Sequence, residues 1–158
     1  MHINLIDGIT ANDWTTDEYQ QILDLNGMTT VNKAGDIMVS NSKAVDGSYV
    51  DNTFGAQYVN DGLQTGLQRF LNSQNLLAFD DDGIKLLKEN ATGIMQDIAK
   101  TGVIANGLDG KPIIAVEGAD RTNTPNVDVA KRRYRSLKVS CTLVGSIETV
   151  QLTVAVTL

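Results

Sequence analysis

The sequence predicts an α+β fold, with a mixed or antiparallel sheet, two main amphipathic helices on one face and a C-terminal β-hairpin. Three observations carry this. Two helical apolar stripes follow one another in mid-chain, short β-rich runs flank them on both sides, and residues 138–158 alternate apolar and polar positions. At 158 residues, 42% hydrophobic and 20% charged, the chain is long enough for one compact domain spanning 1–158 with a sizeable core.

The elements follow in order. "WTTDEYQQILDL" predicts a short helix capped by Thr15, with Glu18 closing a capping box and Trp14 placed to staple Tyr19. After Asn26-Gly27, "MTTVNK" and "DIMVS" flank Ala34-Gly35 and predict a hairpin. "DGSYVDNTFG" reads as punctuation, with Tyr49 and Val50 as a brief strand. From about Gly55 to Leu77, Val59, Leu63, Leu67, Phe70 and Leu71 recur at three- and four-residue spacing, which predicts the longest helix. "FDDDG" then opens a second helix, its aspartates suited to a helix N-terminus, with Ile84, Leu87, Ala91, Ile94, Met95 and Ile98 on one stripe. "ANGLDGKP" is a turn and "PIIAVEG" a candidate strand. Residues 119–136, poor in apolar side chains and holding Pro125, read as a loop or connecting arm. In the final hairpin, Val139, Cys141 and Leu143 alternate on one arm, and Val150, Leu152, Val154, Val156 and Leu158 on the other, giving each strand one apolar face.

The net charge of -6 is unevenly spread. Residues 131–158 carry five basic side chains (Lys131, Arg132, Arg133, Arg135, Lys138) and one acidic, Glu148, hence +4; the first 130 carry eight basic and eighteen acidic, hence -10. Such polarity orients a partner or a neighbouring copy. The acidic remainder, and a basic run with no interleaved aromatic beyond Tyr134, argue against nucleic acid as the partner. No apolar run is long enough for a membrane span, and the start lacks the pattern of a secretory signal, so neither membrane nor secretion is expected.

Recognisable chemistry is sparse. Cys141 is the single cysteine, read as a small buried thiol, and His2 the single histidine, so nothing pairs them into a nucleophile and base, and a His/Cys zinc site lacks ligands. "GLDGKP" has neither the glycine spacing nor the hydroxyl residue of a phosphate-binding loop, and "DDDG" lacks the alternating ligands of a calcium loop. No catalytic residue, cofactor or metal is expected. Nineteen acidic residues leave a carboxylate-based hydrolase as the least favoured alternative.

The order of elements is more informative. "LNGMTTVNKAGD", "GSYVDNTFGAQYVNDGLQTGLQRFL", "FDDDGIKLLKENATGIMQDIAKTGVIANG" and "RRYRSLKVSCTLVGSIETVQLTVAV" succeed one another over nearly the whole chain. In that order they resemble the C-terminal region of contractile bacteriophage tail sheath proteins. Members of that family are usually longer, which makes the chain either a piece of a larger protein or a reduced relative. Ahead of the final strand the family often has a small residue followed by Ala-Ile-His; here Ser146 and Ile147 conform and Glu148 replaces the histidine.

The resemblance implies a structural subunit of the virion, assembled in the host cytoplasm around a tail tube protein, whose neighbouring copies exchange extended strands. It assigns Val150, Leu152, Val154, Val156 and Leu158 to the intersubunit strand, Arg132, Arg133 and Arg135 to acidic surfaces of neighbouring copies, and Lys85 and Lys88 to the tube. The alternative is a small tail-completion or adaptor protein that forms a closed oligomer through the same strand.

Overall fold

The structure is a computed structural model and describes residues 8–145. It is α+β, with four α-helices, α1 (Thr16–Asp24), α2 (Val50–Ser73), α3 (Asp81–Ala99) and α4 (Asn126–Ala130), and two antiparallel two-stranded sheets, β1–β2 (Thr30–Lys33, Asp36–Val39) and β3–β4 (Ile114–Glu117, Lys138–Cys141). The described chain divides into two compact units, one reaching to Phe54 and the other spanning Gly55–Val144, where the sequence reading expected a single domain.

In the first unit, local chemistry sets each boundary. Thr15 accepts from the Glu18 N–H, and the Glu18 carboxylate accepts from the Thr15 N–H at 3.0 Å, so both halves of the capping box form. Trp14 donates its indole N–H to Thr29 Oγ1 at 2.8 Å. Asn26, with φ 54°, turns the chain out of α1. Ala34 and Gly35 both take positive φ, which suits the two-residue turn joining β1 to β2, and Asn32 Oδ1 accepts from the Gly35 N–H. Ser40 and Ser42 are the buried side chains of this unit among the described residues, while Trp14, Leu25, Met28, Val45 and Phe54 are exposed. Among the described residues of this part, hydrogen bonds fix the local structure.

The brief strand at Tyr49-Val50 is a single bridge from Tyr49 to Lys43; Val50 already belongs to α2, which starts five residues before the expected Gly55. Gly55 ends nothing. It sits inside the helix, and a Cβ there would meet Leu143 and Val103 at 3.4 Å, so the glycine lets that segment approach closely.

The second unit has the core. Val59 of α2, Met95 and Ile98 of α3 and Ile104 are buried together, with Leu63, Ile94, Val103, Ile114, Val139, Cys141 and Leu143 packed around them. Helix α3 is capped by Asp80, whose carboxylate accepts from the Gly83 N–H at 2.8 Å, and it buries Ile84, Ala91, Met95 and Ile98, the predicted stripe. Helices α2 and α3 pack through Gly62 and Gly66, which face Ile98 and Ile94. Strand β4 takes β3 as its partner, Ile114 opposite Cys141 and Glu117 opposite Lys138, and Leu143 continues the pairing onto Ile104. Inward positions Ile114, Val116, Val139 and Cys141 alternate with exposed Ala115, Glu117, Lys138 and Ser140, and β3 lies against α3.

The 119–136 stretch is not irregular throughout. It contains a 3₁₀ turn at Arg121–Asn123 and helix α4, which starts after Pro125, a residue whose fixed φ suits a helix entry. The low apolar content of the stretch concealed a helix of only five residues.

Candidate functional site

Among the described residues no three His, Cys, Asp or Glu side chains gather as a metal site. Cys141 is a free, half-buried thiol against the core, and burial pushes its pKa up, which makes it a poor nucleophile at neutral pH. His2 lies outside the described residues. Asn90 Oδ1 is buried without a hydrogen-bond partner on the described chain. The surfaces with functional content lie instead on the β3–β4 sheet and around the N-terminal half of α3.

The sheet has two strands, so β3 and β4 each have a strand partner on one side only among the described residues; α3 covers one face. The residues assigned to an intersubunit strand, Val150, Leu152, Val154, Val156 and Leu158, lie outside the described residues.

Residues 118–121 are fastened at four points, three of them on α3 and one on Tyr134. Lys88 Nζ donates to the Gly118 carbonyl at 3.2 Å and lies 3.5 Å from Asp120 Oδ1. The Arg121 N–H donates to Asp81 Oδ1 at 2.7 Å, and the Tyr134 hydroxyl donates to the Ala119 carbonyl at 2.7 Å. Burial, with the Asp120 charge second, raises the Tyr134 pKa. A Cβ on Gly118 would collide with the Tyr134 hydroxyl, so this position requires glycine. Tyr134 also meets Phe79 edge-on, ring centres 6.0 Å apart.

The assigned charged residues therefore separate. Lys88 is half-buried and engaged within its own unit; its acceptor is a backbone carbonyl thirty residues away, which helical spacing does not reveal. Lys85 stays exposed, 3.9 Å from Glu89 one turn on. Arg135 lies 3.7 Å from Asp128, and the Arg133 N–H donates to the Asp128 carbonyl at 2.8 Å. The side chains of Arg132 and Arg133 are exposed beside Lys131, and Arg132 holds a φ of 51°.

Sequence reasoning missed an apolar cleft of about 580 Å³ in the second unit. Leu71 of α2, Leu76, Leu77 and Phe79 from the α2–α3 connection, Ile84 and Leu87 of α3, and Val129 and Tyr134 line it, with Arg132 at its edge. The doublet Leu76-Leu77 between two helices was its one sequence signal, since apolar residues in a connection seldom lack a packing role.

The described residues form an α+β protein. No known family model matches the chain, and no curated protein matches it significantly. No helix among the described residues is long and apolar enough to cross a membrane.

Proposed function

We propose that the chain is a structural subunit of a contractile phage tail sheath, or the corresponding region of one, assembling with copies of itself around a tail tube protein in the virion. The observation that carries this reading is the two-stranded β3–β4 sheet, packed on α3 and without further strand partners among the described residues, in a chain that also holds the alternating segment Val150–Leu158. An open sheet edge is a hazard in a monomer and a connector in a polymer, because backbone hydrogen bonds hold an added strand while alternate side chains set its register. Exposed Arg132 and Arg133, opposite in sign to the acidic remainder of the chain, fit contacts between neighbouring copies. Lys85 and Lys88 remain the tube-facing candidates.

Electron microscopy and light scattering of the concentrated full chain, beside a Leu152→Pro/Val154→Pro variant, test the reading. Proline deletes two backbone donors from the added strand. Tubes or stacked rings from the parent chain, lost in a variant whose near-UV circular dichroism is unchanged, are the expected result. A parent chain that stops at a closed dimer, or a folded variant that polymerises equally well, overturns it.

A further inference from the structure

Leu108 is the most exposed apolar side chain among the described residues, at 112% of its reference area, and it stands at the tip of a well-formed turn. The Gly107 N–H donates to the Lys111 carbonyl at 2.8 Å, the Gly110 N–H to the Gly107 carbonyl at 3.0 Å, and the Ile113 N–H to the Ala105 carbonyl at 2.8 Å. Asn106 bridges Pro112, Gly110 takes a φ of 73°, and Asp109 Oδ1 accepts from the Lys111 N–H. The backbone is thus fastened on both sides of a leucine that touches water on every side. A turn whose only purpose is reversal favours a polar residue there. A leucine held out this way contributes nothing to its own core.

The same unit holds an apolar cleft that no side chain among the described residues fills. The tip and the cleft lie at opposite ends of α3: Ala99 and Lys100 border Asn106, Lys111 and Pro112 of the turn, whereas Ile84 and Leu87 line the cleft. From Ile84 to Ala99 the helix advances about 22 Å at roughly 1.5 Å per residue. Leu108 therefore cannot reach the cleft of its own chain. The charges also match: Asp109 follows Leu108 at the tip, and Arg132 stands at the cleft edge with Lys131 and Arg133 exposed beside it.

We propose that the cleft receives the Leu108 turn of a second copy of this chain, with the Asp109 carboxylate meeting the Arg132 guanidinium. This rests on the reading of the chain as a self-assembling subunit and adds a contact distinct from strand exchange. Tip and cleft are different surfaces and each copy offers one of each, so copies joined head to tail propagate along the direction of α3, whereas an antiparallel pair would close on itself with both clefts filled.

The test uses the full chain with Cys141→Ser, checked for an unchanged melting curve, and two single variants in that background, Leu108→Cys and Leu76→Cys. Leu76 lines the cleft and is 81% exposed, so neither change disturbs the core. Under mild oxidation the mixture should give a cross-linked pair at least about tenfold faster than either variant alone, because the rest of the turn-in-cleft contact, with the Asp109–Arg132 pair, holds the two sulfurs at a raised effective concentration. A mixture no faster than the single variants overturns the contact. In the unmodified background, Asp109→Arg and Arg132→Asp should each weaken association measured by sedimentation velocity, and mixing the two variants should restore it; failure of that rescue overturns the charge pairing. The two proposals fail separately. Cross-linked pairs without tubes keep the turn-in-cleft contact and remove the sheath reading, whereas tubes unaffected by Leu108→Asp do the reverse.

Discussion

Gly66 and Gly93 sit inside the two longest helices, and replacing each with alanine should change stability in opposite directions. Alanine in place of glycine in a helix interior gains roughly 1 kcal/mol from lower backbone entropy in the unfolded chain and better propensity. At Gly93 of α3, a new Cβ meets nothing within 4 Å, so the whole gain should appear. At Gly66 of α2, the Cβ would fall 2.7 Å from Ile94 Cδ1, 2.9 Å from Cγ1 and 3.0 Å from Cγ2. Three atoms of one β-branched side chain are involved, and in a helix such a side chain has a single favoured rotamer, so Ile94 cannot swing aside. Overpacking of this kind costs about 1–3 kcal/mol, which outweighs the propensity gain and leaves Gly66→Ala roughly 1 kcal/mol less stable. Gly62 is intermediate, its Cβ meeting Ile98 at 3.0 and 3.4 Å, and should come out near neutral. Urea unfolding followed by helical circular dichroism reads the difference. With a slope of about 2 kcal/mol per molar, the midpoint should rise by roughly 0.5 M for Gly93→Ala and fall by about as much for Gly66→Ala. A Gly66→Ala midpoint at or above that of the parent chain would refute the tight α2–α3 contact.

Three further predictions follow from local chemistry. The Glu18 pKa is held below 4.5 by the Thr15 hydroxyl and N–H, so the stabilisation of α1 is present above the unfolded value and lost as pH falls through the depressed one; an NMR titration should place the Glu18 midpoint below 4.5, and Thr15→Ala should move it up. Tyr134 shifts the other way: its stabilising contribution is present below the ordinary value of 10.0 and lost as pH rises through the raised one, and Tyr134→Phe should abolish that alkaline loss while costing about 1 kcal/mol for the bond to Ala119, both read by thermal melts across pH 9–12. Amides of β1 and β2, which pair only with each other in two four-residue strands, should exchange with deuterium at least about a hundredfold faster than those around the buried Ala91 and Met95, and equal protection would contradict that difference.

What the sequence disclosed was local. The capping box needs Thr15 and Glu18 three residues apart, the β1–β2 turn needs Ala34-Gly35 between two β-rich runs, and the buried face of α3 is written in the spacing of Ile84, Ala91, Met95 and Ile98. Each is set by neighbours within about two turns of chain, where propensity and periodicity act directly. The surfaces most relevant to function are not of that kind. Lys88 ends on the carbonyl of Gly118, and a carbonyl is present at every residue, so its partner leaves no mark in the sequence. Tyr134 and Arg132 reach the cleft from more than forty residues beyond Leu87, delivered by a helix of five residues, too short to leave a helical period in the sequence.

The glycines show why this limit is physical. In sequence, Gly66 and Gly93 are equivalent: single glycines within amphipathic helical patterns, each an apparent cost to its helix. The approach of Ile94 distinguishes them, and Ile94 lies twenty-eight residues from one and next to the other. Helical spacing records which face of α2 turns inward, but not how closely α3 approaches it, because Val59 and Leu63 would satisfy the same pattern at a wider separation. A glycine is retained without loss only where another side chain occupies the space its own would have taken, so Gly62 and Gly66 mark the line of closest contact between the helices. Leu108 follows the same logic from the opposite side. At the tip of a glycine-flanked turn the pattern expects a polar residue, and the leucine is anomalous until the structure supplies a cleft at the far end of α3 that a neighbouring copy can bring to it.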